Sequence, residues 1–81
     1  MKRWIHALSG VPWARTTVRI MGERQIAAFE RMCEVTGRKP YELASDIILD
    51  ELWLAGSTPG LKRQARDNRR WRQDRMLGLG D

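Results

Sequence analysis

Hydrophobic and polar positions change period several times along this chain. From Ala14 to Ile20 (ARTTVRI) they alternate. Side chains of a strand point to opposite faces with period two, so Thr16, Val18 and Ile20 share one face. Arg15, Thr17 and Arg19 share the other. Thr16, Thr17, Val18 and Ile20 are β-branched, which suits a pleated backbone. The pattern predicts one short β-strand here and no second strand of comparable quality. A lone strand leaves its backbone groups unpaired on both edges. Its simplest partner is the same strand of a second copy, antiparallel about a two-fold axis. A homodimer is the expectation.

Beyond Gly22 the period becomes helical. Ile26, Phe29, Met32 and Cys33 recur on one face, with Ala27, Ala28 and Val35 in support. Glu23 lies in the first turn, where the helix dipole favours an acid. Thr36-Gly37 stops the pattern, glycine being favoured just past a helix C-terminus. Pro40 fits the first position of a second helix. Leu43, Ala44, Ile47, Ile48, Leu52 and Trp53, with Leu49 and Leu54, give that helix an apolar stripe broader than one partner helix requires. Burial against a second subunit is expected of it. Asp46, Asp50 and Glu51 read as a solvated face. Ala55-Gly56 closes the helix, and Ser57-Thr58-Pro59-Gly60 reads as a break.

The two ends are less regular. Trp4, Ile5, Leu8, Val11 and Trp13 make residues 1–13 unusually apolar, while Gly10 and Pro12 interrupt any helix. An N-terminal arm is expected, packing on the dimer or on its partner. The apolar run from Trp4 is too short for a secretory leader. Residues 61–77 carry only a weak stripe (Ala65, Trp71, Met76, Leu77) and read as a solvated basic tail or an extra C-terminal helix. Gly78–Asp81 read as coil.

Charge alters this picture, because its net value of +5 is unevenly placed. Residues 1–22 hold Lys2, Arg3, Arg15 and Arg19 and no acid. Residues 23–56 hold four basic and seven acidic side chains. Residues 57–81 hold Lys62, Arg63, Arg66, Arg69, Arg70, Arg72 and Arg75 against three acids. Basic ends around an acidic middle point to a polyanionic partner, nucleic acid before an anionic membrane surface. One cysteine and one histidine rule out a disulfide within the chain and a Cys/His zinc site. No metal or cofactor is expected, and a reduced, cytoplasmic setting follows. Cys33 reads as a core residue. No span of apolar residues is long enough to cross a membrane. No nucleophile with a base, paired catalytic carboxylate or phosphate-cradling loop marks an enzyme.

A strand with Arg15-Thr16-Thr17-Val18-Arg19-Ile20, then Thr36-Gly37-Arg38-Lys39, then Glu42-Leu43 opening an apolar helix, resembles the ribbon-helix-helix family of the Arc/MetJ/CopG type. The likeness covers about Arg15–Leu54. It implies a mainly α fold with one short β-strand, in an intertwined homodimer with an intersubunit two-stranded antiparallel ribbon. Residues 14–56 would be the dimerisation and DNA-binding domain, between the arm and a basic C-terminal extension (57–81). In that family the ribbon enters the major groove of double-stranded DNA. The resemblance therefore implies base contacts from Arg15, Thr17 and Arg19, through arginine to guanine and threonine to a base edge or thymine methyl. It implies phosphate contacts from Arg38, Lys39 and Tyr41 at the start of the second helix. The dimer core would be Val18, Ile20, Ile26, Phe29, Leu43, Ile47, Ile48 and Leu52. The basic ends add Lys2, Arg3, Lys62, Arg63, Arg66, Arg69, Arg70 and Arg72 as further DNA contacts.

The expected function is a sequence-specific repressor acting as a dimer, with assembly beyond the dimer on DNA left open. The family also serves as antitoxins and as accessory proteins of plasmid transfer. A protein-interaction or inhibitor module built on the same dimer, with a protein partner on the arm or the extension, is the alternative from another class.

Overall fold

Two short strands lead three helices. In the computed structural model, which describes residues 1–78, β1 (Arg3–Ile5) and β2 (Pro12–Ala14) precede α1 (Glu23–Thr36), α2 (Pro40–Gly56) and α3 (Pro59–Met76). The mainly helical character agrees with the sequence. The coil expected over residues 79–81 lies outside the described residues.

The strands correct the sequence reading. β1 and β2 pair antiparallel, with Arg3 opposite Ala14, Trp4 opposite Trp13 and Ile5 opposite Pro12. Among the described residues there are thus two strands where one was expected, and the arm of residues 1–13 is largely a hairpin. Of the strand expected over Ala14–Ile20, only Ala14 is in a ladder; residues 15–21 have no regular secondary structure. The reason is pairing. β1 already occupies β2, and among the described residues no further strand pairs with the segment that follows. Proline suits the first position of β2, where no ladder donor is lost.

The hairpin is held by local contacts. His6 N–H donates to Val11 O and Gly10 N–H donates to His6 O, each at 2.9 Å. Gly10 takes a φ of 69°, which a side chain would resist. His6 Nδ1 accepts from the Leu8 and Ser9 amides at 3.3 and 3.1 Å. Across the strands the Trp4 and Trp13 rings stack, 4.6 Å between centroids and 21° from parallel. Such a pair contributes about 0.5–1.5 kcal/mol beyond its buried area.

α1 ends as its sequence demands. Gly37 adopts the left-handed conformation (φ 69°, ψ 17°) and donates to Glu34 O, while Arg38 N–H donates to Cys33 O. That pair of bonds satisfies carbonyls the helix leaves open. α2 opens on Pro40, and Glu42 Oε1 reaches back to accept the Lys39 N–H at 3.2 Å.

α3 is the extra C-terminal helix that the sequence offered as one of two readings. It begins at Pro59, inside the stretch read as a break, so only Ser57 and Thr58 separate it from α2. It packs on α2 and, less extensively, on α1. Ala65 is fully buried, and Arg72 is buried beside an equally buried Asp50. The solvated basic tail is therefore a docked helix. Asp50 does not belong to a solvated face.

The docking explains the breadth of the apolar stripe on α2. Leu43, Asp46, Asp50 and Trp53 line a cleft against α3 residues Gln64, Asn68, Trp71 and Arg72. At about 100° per residue, Ala44, Ile48 and Leu52 lie on the far side of α2. They line a second, open groove of about 1090 Å³ with Val18, Ile20 and Phe29. Among the described residues nothing covers that groove. Ile48 and Leu52 are 43% and 61% exposed, and Val18 51%. A folded monomer of 9.4 kDa is expected to expose about 5000 Å². This chain exposes 6882 Å².

Candidate nucleic-acid interface

The segment after β2 carries the residues proposed to read bases. Thr16, Val18 and Ile20 line the open groove, whereas Thr17 and Arg19 do not. The backbone thus already presents alternate side chains to opposite sides, as a strand does. Arg15 departs from the alternation. It also lines the groove, and its guanidinium sits over the stacked indoles, 5.7 Å from the Trp4 centroid and 5.8 Å from that of Trp13. Both distances suit a cation–π contact. Thr17 and Arg19 stand exposed.

At the α1–α2 turn the three residues expected to hold phosphate differ in availability. Arg38 forms a bidentate pair with Asp46 (Nε to Oδ2 2.9 Å, Nη2 to Oδ1 3.2 Å) and touches Glu42 at 3.2 Å. The hydrogen bond to Asp46, then the charges of Asp46 and Glu42, raise the Arg38 pKa further above its ordinary value. This guanidinium serves the chain itself, tying the turn to the first two turns of α2. Lys39 is exposed beside it, and Tyr41, also exposed, lines the open groove. Pro40 withholds an N–H from the helix start, so charge rather than amide capture is the chemistry on offer here.

The basic residues of α3 divide into two sets. Arg72 Nη1 lies 2.6 Å from Asp50 Oδ2 with both side chains buried, and Asn68 donates to Asp50 Oδ1 at 3.1 Å. Arg69 pairs with Glu51 at 2.6 Å, and the Arg75 guanidinium lies 5.1 Å from the Trp71 centroid. Arg72 is therefore withdrawn from the expected DNA contacts, because its charge is spent inside the fold. Arg69 is held at the rim of the same seam. Arg63, Arg66 and Arg70 are exposed, and none joins an ion pair among the described residues. Lys62 is half-buried. At the other end, Lys2 and Arg3 are exposed on and beside β1.

Of the residues expected to form a dimer core, Leu43 is wholly buried within the chain, on the side facing α3. Val18, Ile20, Phe29, Ile48 and Leu52 converge on the open groove. Ile26 and Ile47 are 41% and 37% exposed and do not line it. Sequence reasoning missed the Asp50–Arg72–Asn68 cluster and the Trp4–Trp13–Arg15 stack. Beside the weak stripe over residues 61–77, the Thr58-Pro59 pair, with proline at the first helical position, is the signal that places the start of α3. Among the described residues no helix is long and apolar enough to cross a membrane. Compared with known proteins, the chain matches no family model, no curated protein and no solved structure.

Proposed function

We propose that this chain is a dimeric, sequence-specific DNA-binding protein of the ribbon-helix-helix type, acting as a repressor by occluding its site. The observation that carries the reading is the placement of Thr16, Val18 and Ile20 along an open apolar groove that Thr17 and Arg19 do not line. A second copy entering the groove supplies what the segment lacks. Its own residues 15–20 pair antiparallel with the first, and its apolar helix faces cover Phe29, Ile48 and Leu52. The surplus exposed surface, on the order of 1900 Å² over the expectation for a monomer of this mass, is of the size that obligate dimers bury.

The paired strands would then present Thr17 and Arg19 twice, related by the two-fold axis, to a major groove that admits a two-stranded ribbon, and Arg15 would join them only on leaving the Trp4–Trp13 stack. Lys39 fixes the register on phosphates, with Tyr41 at the rim of the dimer groove beside it, and the strand side chains choose the sequence. The lone, half-buried Cys33 suits a reducing cytoplasm. α3 is spent on the chain's own α1 and α2, which weighs against an antitoxin whose tail stays free to wrap a toxin.

The test is selection from random duplex DNA at near-physiological salt, followed by affinity for the enriched site against a scrambled duplex. The reading expects a two-fold-related motif bound about a thousandfold or more tighter. No enriched motif, with weak and salt-sensitive binding alone, would overturn it.

A further inference from the structure

We infer that the outer face of α3 is a second, sequence-independent surface for the phosphate backbone of duplex DNA, built from Arg63, Arg66 and Arg70. The inference rests on the proposed DNA partner but not on base reading by the ribbon. Its starting point is the division of the α3 arginines. Arg69, Arg72 and Arg75 are engaged by Glu51, Asp50 and Trp71. The remaining three stand at i, i+3 and i+7 and fall within an arc of about 60°, spread over about 10 Å of helix axis. That arc is opposite buried Ala65 and Arg72. Docking of the helix therefore sets the stripe outward.

The surroundings of the stripe favour a phosphate polymer over a lipid surface. An interfacial helix needs a free apolar face beside its cations, and the inner face of α3 is consumed by α2 and α1. Gln73, Asp67 and Asp74 flank the stripe, and the exposed Leu77 just past its end is not the broad apolar face that a lipid surface requires. Three arginines on one rigid helix meet a polyanion whose charges recur every few ångströms. The open groove lies on the other side of α2 from α3. A second copy seated there leaves both stripes in solvent, six arginines for each dimer.

The experiment uses the full chain and the triple variant R63Q/R66Q/R70Q, with circular dichroism to show that helix content is kept. Affinity for a random-sequence duplex is measured by fluorescence anisotropy across a range of salt. Each lost phosphate contact should flatten the slope of log affinity against log salt by roughly 0.9, so the dimer stands to lose up to about five units of slope. Arg69→Gln, which removes an arginine already paired with Glu51, should change the slope much less. An unchanged slope in the triple variant would overturn the inference. So would loss of binding to phosphatidylcholine–phosphatidylserine vesicles with DNA binding intact. Failure here is separable from failure of the ribbon. If no sequence is ever selected, base reading falls, while the stripe is still judged on the random duplex.

Discussion

The Arg72 guanidinium meets the Asp50 carboxylate at 2.6 Å in the seam between α3 and α2, with both side chains buried. The pair positions a helix that has almost no apolar stripe. Breaking it should be costly, because the surviving partner is left as an uncompensated buried charge. Asp50→Ala should lose about 3–5 kcal/mol of stability, and D50L/R72M, which removes both charges, markedly less. Urea unfolding at matched protein concentration measures both. Equal losses in the two variants would show that the charges are not what holds α3.

Gly37 offers a cleaner backbone test. A Cβ there would meet nothing within 4 Å, yet its φ is 69°. The cost of Gly37→Ala is then conformational alone, about 1–2 kcal/mol. Thermal unfolding should show the loss with the α1 helix signal retained at low temperature. A neutral result would mean that the turn is not left-handed.

Trp13 and Arg15 should behave as one unit. Trp13→Ala removes the stack with Trp4 and one face of the cation–π contact. A double-mutant cycle of Trp13→Ala with Arg15→Ala should give a coupling of about 0.5–1 kcal/mol in stability. The near-ultraviolet circular dichroism of the indole pair should vanish in Trp13→Ala and persist in Arg15→Ala. Strict additivity would place Arg15 away from the rings.

Arg19 carries the base-reading prediction in its simplest form, being exposed and in no ion pair among the described residues. Arg19→Ala should weaken binding to a selected site by about 1–3 kcal/mol and spare the random duplex. Anisotropy titrations on both duplexes check it. An equal loss on both would make Arg19 a phosphate contact only.

α1 and α2 were legible because their ends are marked by backbone chemistry. Gly22, Thr36-Gly37, Pro40 and Gly56 each constrain dihedrals or hydrogen bonding locally, so no distant contact is needed to place them. The hairpin was not legible. Its strands are three residues long, too short to show alternation, and its stability comes from one cross-strand indole pair and a histidine-capped turn. α3 was legible only as one of two readings, and its docking was hidden for a different reason. Its inward positions include Asn68 and Arg72, which match Asp50 at a separation of 18 and 22 residues, and an ion pair leaves no apolar period to read. The same fact misplaced Arg72 among DNA contacts. Of the candidate interface, the alternation over Thr16–Ile20 was readable from residue types. The engagement of Arg38 by Asp46 and of Arg15 by two tryptophans depends on tertiary neighbours.

The central claim is that a second copy of the chain covers the groove by pairing along residues 16–20. Isotope-filtered nuclear Overhauser measurement on an equimolar mixture of labelled and unlabelled chains tests it most directly. The account predicts intermolecular contacts from the Val18 and Ile20 methyls to the Val18, Phe29 and Leu52 protons of the other copy, lost together in Val18→Asp. A sample that stays monomeric at hundreds of micromolar, or contacts confined to the α3 surface, would contradict it.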